Sequence, residues 1–244
     1  MFVTWFQTKY ANVVRMNELD PRALAAAYPQ LTPEELFDAI ASRNGNIVCD
    51  IDDTLCITGR AWGEALAAAF DDPSLLDTAA IIRTYGAYQN VPSLQSPEAN
   101  ARMQALITSP DFYERLEPVA GAIDGLTRVH AHQTIGAYLT MRVKELLGPT
   151  RRWLAHHGCP AAPIVMAPEP THITDRQSWK AKTLAGLYPA VSGIIDDDTF
   201  VVANMDATYH GSIFLLGSDA SPRQDIRVVP CKTWQHVCDA IIRK

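Results

Sequence analysis

The chain has 244 residues, of which 48% are hydrophobic, and a formal net charge of −6. That length accommodates one compact domain with a smaller inserted or appended one. The apolar content suffices for a buried core without disulfides or structural metal, which excludes a disordered tail or a disulfide scaffold. Basic residues occur in isolated pairs such as Arg151-Arg152 rather than in a stripe, so bulk nucleic-acid binding is excluded and a small phosphorylated ligand held by a few focused charges stays open.

Taken from the start, residues 1–45 read as an N-terminal helical extension. The opening run MFVTWFQTKYANVVRM has no basic leader, and Gln7, Thr8 and Lys9 interrupt it, so neither a signal peptide nor a membrane span is expected. Further on, Thr32-Pro33-Glu34-Glu35 has the pattern of an N-cap, a proline at the first helical position and a capping-box glutamate, with Leu36, Ala39 and Ile40 on one face. Gly45-Asn46 then turns the chain.

After that turn come short, almost wholly apolar runs at Ile47-Val48-Cys49, Ile135 to Leu139, Pro163 to Met166, Val191 to Ile195 and Ser212 to Leu216. Such runs predict strands buried on both faces. Helical stretches lie between them, including Pro149 to His157, closed by Gly158 as a C-cap, and Ser178 to Leu187. The series Trp234, Val237, Ile241 predicts a last helix packed on the sheet. Strand alternating with helix implies an α/β fold, a Rossmann-like parallel sheet flanked by helices.

Between the first and second apolar runs, residues 60–117 show only helical patterns, at Ala61 to Phe70, Ser74 to Arg83 and Pro97 to Ile107. Asn90-Val91-Pro92 and Ser109-Pro110-Asp111 read as joints. A small all-helical insertion therefore divides the core into 46–59 and 118–244. The five cysteines are odd in number and lack paired spacing, so they read as reduced thiols of a cytoplasmic protein.

In open α/β sheets ligands bind beyond the carboxyl ends of the strands. Here those ends read Asp50-Ile51-Asp52-Asp53-Thr54, Thr140-Met141-Arg142 and Asp196-Asp197-Asp198. Strand alternation puts Asp50 and Asp52 on one side of the chain. Carboxylates converging on one sheet edge repel unless a hard divalent cation joins them, and oxygen ligands favour Mg2+.

A strand-borne DxDxT followed by Leu55 resembles the first motif of the haloacid dehalogenase superfamily. Tyr138-Leu139-Thr140-Met141-Arg142 is similar to the second motif, Trp179-Lys180 to Leu184 to the third, and Ile194-Ile195-Asp196-Asp197 to the fourth. The resemblance implies a magnesium-dependent phosphohydrolase acting on a small phosphomonoester, a phosphorylated metabolite or nucleotide. In it Asp50 is the nucleophile and forms an aspartyl-phosphate, while Asp52 is general acid and base. Thr140 and Lys180 serve catalysis and, with Arg142, contact the substrate. Mg2+ is held by Asp50, the Asp52 carbonyl, Asp196 and Asp197. The helical insertion takes the place of the family's cap, which excludes water. An acid at position 52 favours phosphate esters over dehalogenation, and proton donation requires its pKa to rise above about 3.9.

Several residues carry more than one reading. Arg142 suits a substrate contact or a salt bridge across the sheet edge, Asp53 a polar turn residue, and Asp198 a turn residue or a supporting partner. His156 and His157 read as basic residues favoured at a helix C-terminus, zinc is unsupported, and Cys49 points into the core and is inert. Lys180 and Lys182 are separated by helical phase: Lys180 falls within about 40° of Leu184 and Leu187, and Lys182 is turned by about 200° towards solvent. Three other functions compete: phosphate transfer to another alcohol at the same site, a non-catalytic binding protein of the same fold, and the DxDD acid motif of class II terpene cyclases, which are all-helical and much longer.

Overall fold

The structure, a computed structural model, describes residues 19–42, 45–86, 88–168 and 173–243. The N-terminal expectations that fall on residues 1–18, 43 and 44 lie outside the described residues. Elements run α1 (Pro21–Ala27), α2 (Pro33–Ile40), β1 (Asn46–Cys49), α3 (Thr58–Phe70), α4 (Thr78–Tyr85), α5 (Pro97–Ile107), α6 (Pro110–Glu114), α7 (Ala122–His132), β2 (Ile135–Thr140), α8 (Leu147–His156) and β3 (Ile164–Met166). The chain continues as α9 (Ile173–Leu187), β4 (Val191–Asp196), α10 (Thr199–Asn204), β5 (Ser212–Leu216), β6 (Arg227–Cys231) and α11 (Trp234–Ile242).

The six strands form one sheet in the order β3-β2-β1-β4-β5-β6, and every pairing is parallel. β1 is therefore central, with β2 and β4 on either side, and the carboxyl ends of these three strands meet at one edge. β1 and β2 are buried throughout, as their apolar runs require. One hydrophobic cluster packs Cys49, Tyr138 and Ile195 of the sheet against α7, α8 and α11. A second packs Val48, Leu139 and Ile194 against α2, α9 and α10.

Four features differ from the sequence expectation. β6 is an additional strand; it is an edge, half-exposed and carrying Pro230, so it lacks the continuous apolar run of a buried strand. The stretch at Ser74 to Arg83 is two elements, a 3-10 turn at Pro73–Leu76 and then α4, because Asp77 accepts from the Ala80 N–H and starts a new helix. Neither expected joint is irregular: Pro92–Leu94 is a 3-10 turn, and Ser109 caps α6. α9 begins at Ile173, five residues before Ser178.

Between Thr58 and Glu114 the described residues form helices and helical turns and no strand. They hold a hydrophobic cluster of their own that includes Leu66, Leu75, Tyr88, Leu94 and Met103. Gly63 admits this packing, because a Cβ there would stand 2.6 Å from the Tyr88 hydroxyl and 2.8 Å from the Leu75 carbonyl oxygen. The connections into and out of this segment run side by side. Ile57 N–H donates to the Glu117 carbonyl and Val119 N–H to that of Leu55, both at 2.8 Å, with Cys56 bridged antiparallel to Pro118. The insertion is thus tied to the sheet directly beside the first motif.

The segment before β1 is part of the core. Thr32 and Glu35 form the reciprocal capping box, and Leu36 on the inner face of α2 is fully buried against the sheet. Pro29 to Leu31 lies along β3, with Ile164 N–H donating to the Pro29 carbonyl and Leu31 N–H to that of Ile164, so an otherwise open edge is covered. Among the described residues no helix is long and apolar enough to cross a membrane. Leu36→Ala should therefore lower unfolding free energy by about 2–5 kcal/mol in urea titrations, the cost of a large-to-small change in a packed core; a loss below about 0.5 kcal/mol would show that α2 is peripheral.

Candidate active site

β1 ends at Cys49, and the next residue, Asp50, donates its N–H to the Ile195 carbonyl at 2.9 Å, which sets its carboxylate beside the end of β4. The chain then turns sharply. Leu55 and Cys56 N–H groups both return to the Ile51 carbonyl, and Asp53 adopts the left-handed conformation (φ +56°). The Asp53 carboxylate accepts from the Thr58 and Gly59 N–H groups at 2.9 Å and so caps the start of α3, a turn role in keeping with its sequence reading.

Lys180, on the sheet-facing side of α9, reaches the centre of the site. Its Nζ lies 2.8 Å from Asp50 Oδ1 and 2.9 Å from Asp196 Oδ2, and all three residues are buried. Asp197 adds a third carboxylate. The oxygens of Asp50, Asp196 and Asp197 come within 4.8 Å of one another. Thr54 steadies this end, its hydroxyl donating to Asp197 Oδ1 at 2.8 Å while accepting from the Asp197 N–H at 3.1 Å. The Trp234 indole in turn donates to the Thr54 carbonyl at 2.9 Å. Asp196 Oδ1 accepts the Asp198 N–H, and Asp198 caps α10.

The charges around this cluster do not balance within the protein, since one ammonium faces three carboxylates. Burial pushes the Asp50 carboxyl up; Lys180 pulls it back, Asp196 and Asp52 add to the push, and it stands at about 8. Burial, with Asp196 and Asp50 close by, also raises Asp197 well above the ordinary carboxylate range. Burial alone would lower Lys180, but Asp196 and Asp50 outweigh it and hold the ammonium charged. An all-oxygen donor set short of positive charge fits a hard divalent cation. Thr140, at the end of β2, is fully buried and accepts the Arg142 N–H at 3.2 Å.

Asp52 lies in a different environment. Arg142 grips it from the side, Nε at 3.0 Å from Oδ2 and Nη2 at 2.8 Å from Oδ1, and the Thr58 hydroxyl donates to Oδ1 at 2.6 Å. The Arg142 guanidinium is 4.7 Å from the Tyr113 ring centroid and donates to Thr150 at 3.0 Å. Burial raises the Asp52 carboxyl, but Arg142 and the Thr58 hydrogen bond more than offset this, and the pKa falls below the ordinary range. The expected upward shift is thus reversed here, because the cation that governs it arrives from 90 residues away. Of the two readings of Arg142, the structure shows the salt bridge.

Other residues sort as follows. Burial raises the Cys49 and Cys56 thiols, which leaves them protonated. His157 is lowered to about 4 by burial and by His156, so it is a neutral ring tilted against Trp153 rather than the cation expected at the end of α8. Thr54 bonds Asp197 and Thr58 bonds Asp52, while Tyr113 lies against Arg142 and the Trp234 indole bonds the Thr54 carbonyl; the sequence reading assigns none of the four a role at the site. Thr54 was visible as the last letter of the first motif; for the other three no local signal exists.

No family model and no curated protein matches the sequence. Among solved structures, the fold superposes on a HAD-family hydrolase from Deinococcus radiodurans R1, crystallised with bound phosphate and sodium, with a TM-score of 0.52 at 14% identity over 82% of this chain and 96% of that one. This chain has the haloacid dehalogenase fold. A dehalogenase with an intermediate complex gives a TM-score of 0.48 at 12% identity, over 80% and 96% of the two chains. A haloacid dehalogenase-like hydrolase from Burkholderia xenovorans LB400 gives 0.46 at 14% identity, over 79% and 98%.

In this haloacid dehalogenase fold the two neighbouring lysines of α9 have opposite surroundings, Lys180 being buried among carboxylates and Lys182 exposed. Lys180→Ala strands Asp50 and Asp196 without their cation, and should cost about 3–5 kcal/mol of stability at pH 8. At pH 5 the Asp50 carboxyl keeps its proton and needs no counter-charge, so the loss should shrink. Lys182→Ala should stay within about 0.5 kcal/mol of wild type. Denaturant titrations at the two pH values check this, and equal losses for both variants would contradict the helix phase.

Proposed function

We propose that the chain is a magnesium-dependent phosphohydrolase that cleaves a small phosphomonoester through an aspartyl-phosphate on Asp50. The observation that carries this reading is the buried Asp50–Lys180–Asp196 ion cluster, with Asp197 beside it, at the carboxyl edge of the central strands. A carboxylate held this way by a lysine has its attacking oxygen oriented and its charge compensated. Phosphoryl transfer needs mainly positioning and charge stabilisation.

In this reading Asp50 attacks phosphorus and the leaving oxygen departs with a proton from Asp52. Asp52 then takes a proton from the water that attacks the same phosphorus and releases Asp50. Lys180 neutralises Asp50 and the transferring oxygens, and the Thr140 hydroxyl donates to a phosphate oxygen. The residues that would hold magnesium are Asp50, Asp196 and Asp197 with the Asp52 carbonyl, and the ion would supply positive charge against the phosphate dianion. The Arg142 pair leaves Asp52 ionised and thus ready for the base step. Donation in the first step requires Asp52 to loosen from Arg142 and take up a proton. The helical segment 58–114, joined to the core beside Asp52, serves as the cap that excludes water from these steps.

Hydrolysis of an aryl phosphate should require magnesium and stop with a chelator. Asp50→Asn should abolish turnover in folded protein, and Asp52→Asn should reduce it by about 10²–10⁴-fold, the usual contribution of a general acid or base. Full activity in chelator, or turnover by folded Asp50→Asn protein, would refute the mechanism.

Magnesium should also stabilise the fold in a pH-dependent way. The Asp50 carboxyl holds its proton up to about 8 in the folded metal-free chain, whereas unfolded Asp ionises near 3.8. Metal-free stability therefore declines as pH rises through that window, because the unfolded state releases protons first. A cation must displace the same protons, so the Tm gain on adding magnesium should grow from pH 5 to pH 8. A gain that is constant or falls with pH in thermal scans would count against metal binding at this cluster.

A further inference from the structure

Trp234 opens α11, is buried, and makes contacts in two directions. On one side its ring lies against α7, where a Cβ on Gly125 would stand 2.7 Å from the indole Cε3. On the other its N–H donates to the Thr54 carbonyl in the turn of the first motif, and the Thr54 hydroxyl donates to Asp197. We propose that Trp234 is a positioning residue for the metal: it holds Thr54 so that the Asp197 carboxylate stays in the acidic cluster, and it thereby raises the affinity for a hard divalent cation. The inference rests on the reading of that cluster as a magnesium site and extends the site to the C-terminal helix.

Electrostatics shows why Asp197 needs a tether. Asp50, Asp196 and Asp197 bring oxygens within 4.8 Å of one another, and in the ionised form that a cation requires they repel. Lys180 pairs with Asp50 and Asp196, whereas among the described residues no cation pairs with Asp197. Asp50 and Asp196 are buried and Asp197 only half-buried, so outward rotation is open to Asp197 alone. Thr54 opposes that rotation. Its hydroxyl accepts the Asp197 N–H at 3.1 Å and gives its single proton to Asp197 Oδ1 at 2.8 Å, which ties the carboxylate to its own backbone. A ligand that stands in place for only part of the time weakens the apparent affinity in proportion to that fraction.

Thr54 can hold Asp197 only while its own peptide keeps its orientation, and Trp234 acts on that peptide. Thr54 is fully buried, and its carbonyl accepts the indole N–H at 2.9 Å from 180 residues away. A buried carbonyl deprived of that donor is costly, and rotation of the peptide to recover a partner would carry the hydroxyl off Asp197. The indole is in turn fixed from behind. Arg128 of α7 donates to Gln235 Oε1 at 3.0 Å, and the Cys238 thiol donates to the Gly125 carbonyl at 3.6 Å, so α11 is pinned to α7 on both sides of the ring. A glycine inside a helix gives up stability relative to alanine, and at Gly125 the missing Cβ is the space the indole occupies. Packing alone asks only for a ring; the N–H aimed at Thr54 is what joins the ring to the site.

The test uses the full chain without substrate and Mn2+ as the probe, an ion that accepts the same oxygen donors as magnesium and whose free form is counted by paramagnetic resonance. Magnesium should displace it from the wild type. Trp234→Phe, which keeps a ring and loses the N–H, should weaken Mn2+ binding at least about fivefold, and Thr54→Val at least about tenfold, while Thr54→Ser, which keeps the hydroxyl, stays within about twofold. Leu36→Ala, a destabilised variant on the other face of the sheet, should also stay within about twofold. If Trp234→Phe does not fold, Gly125→Ala serves: it crowds the indole, gains helix propensity, and should weaken binding at least about threefold. Binding within twofold of wild type in folded Trp234→Phe or Thr54→Val overturns the proposal, and so does an equal loss in Leu36→Ala, which would make general destabilisation the cause. A wild type that binds no Mn2+ overturns the metal reading and this proposal together. Binding that falls in the order stated, in a protein that hydrolyses no aryl phosphate, supports the role of Trp234 and overturns only the chemistry assigned to Asp50.

Discussion

Lys180 and its two carboxylates are the interaction on which the rest depends. Three groups from β1, α9 and β4 lose their hydration together, and desolvation of that kind is offset only when geometry is good and every remaining lone pair is satisfied. The fold meets the first condition, while the excess of negative charge over the one ammonium pushes the Asp50 and Asp197 carboxyls up. Asp196 is braced by the Asp198 N–H, and Asp50 is set by a backbone hydrogen bond to Ile195. Ala181, Leu184 and Leu187, packed in the same core cluster, fix the phase of α9 so that the ammonium arrives at the strand ends. Because β1 lies between β2 and β4, the first, second and fourth motifs meet at one edge while the third descends on them from the helix layer.

A second ion pair, Asp52–Arg142, stands next to the first and differs from it in kind. Lys180 is wholly interior, whereas the Asp52 side chain keeps 28% of its surface accessible. Arg142 also touches Tyr113, which belongs to the helical segment rather than to the sheet. The orientation of Asp52 is thus linked to that segment through one guanidinium, and to the start of α3 through Thr58. The paired connections at Leu55–Ile57 and Glu117–Val119 bring both contacts to the same place. The helical segment is therefore joined to the first motif, since it brings the Thr58 hydroxyl to Asp52 and the Tyr113 ring to Arg142.

Much of the fold was legible because burial on both faces leaves a plain record in sequence. The five runs read as strands all lie in the sheet, and the Thr32 capping box is formed as its residues imply. β6 was not legible, since an edge strand with one wet face and Pro230 lacks that record. Nor was the role of the segment before β1. The apolar face of α2 could be read, but not that Leu36 would complete the main core or that Pro29 to Leu31 would cover β3, because both depend on chain far away. The helical starts at Asp77 and Ser109 are not legible because a single capping side chain beside a short helix resembles an ordinary turn.

For the site, sequence alone determined the acidic residues at the strand ends and which lysine faces them, since alternation in a strand and phase in a helix are local properties of the chain. It could not determine the state of Asp52. That depends on whether Arg142, 90 residues away, turns towards substrate or towards the carboxylate, and only the tertiary structure shows the bidentate pair and the depressed pKa that follows. The same holds for Thr58, Tyr113 and Trp234, ordinary residues in sequence that matter by position. Local periodicity selects what a side chain faces, but the field at a carboxylate is summed over neighbours that only folding brings within a few ångströms.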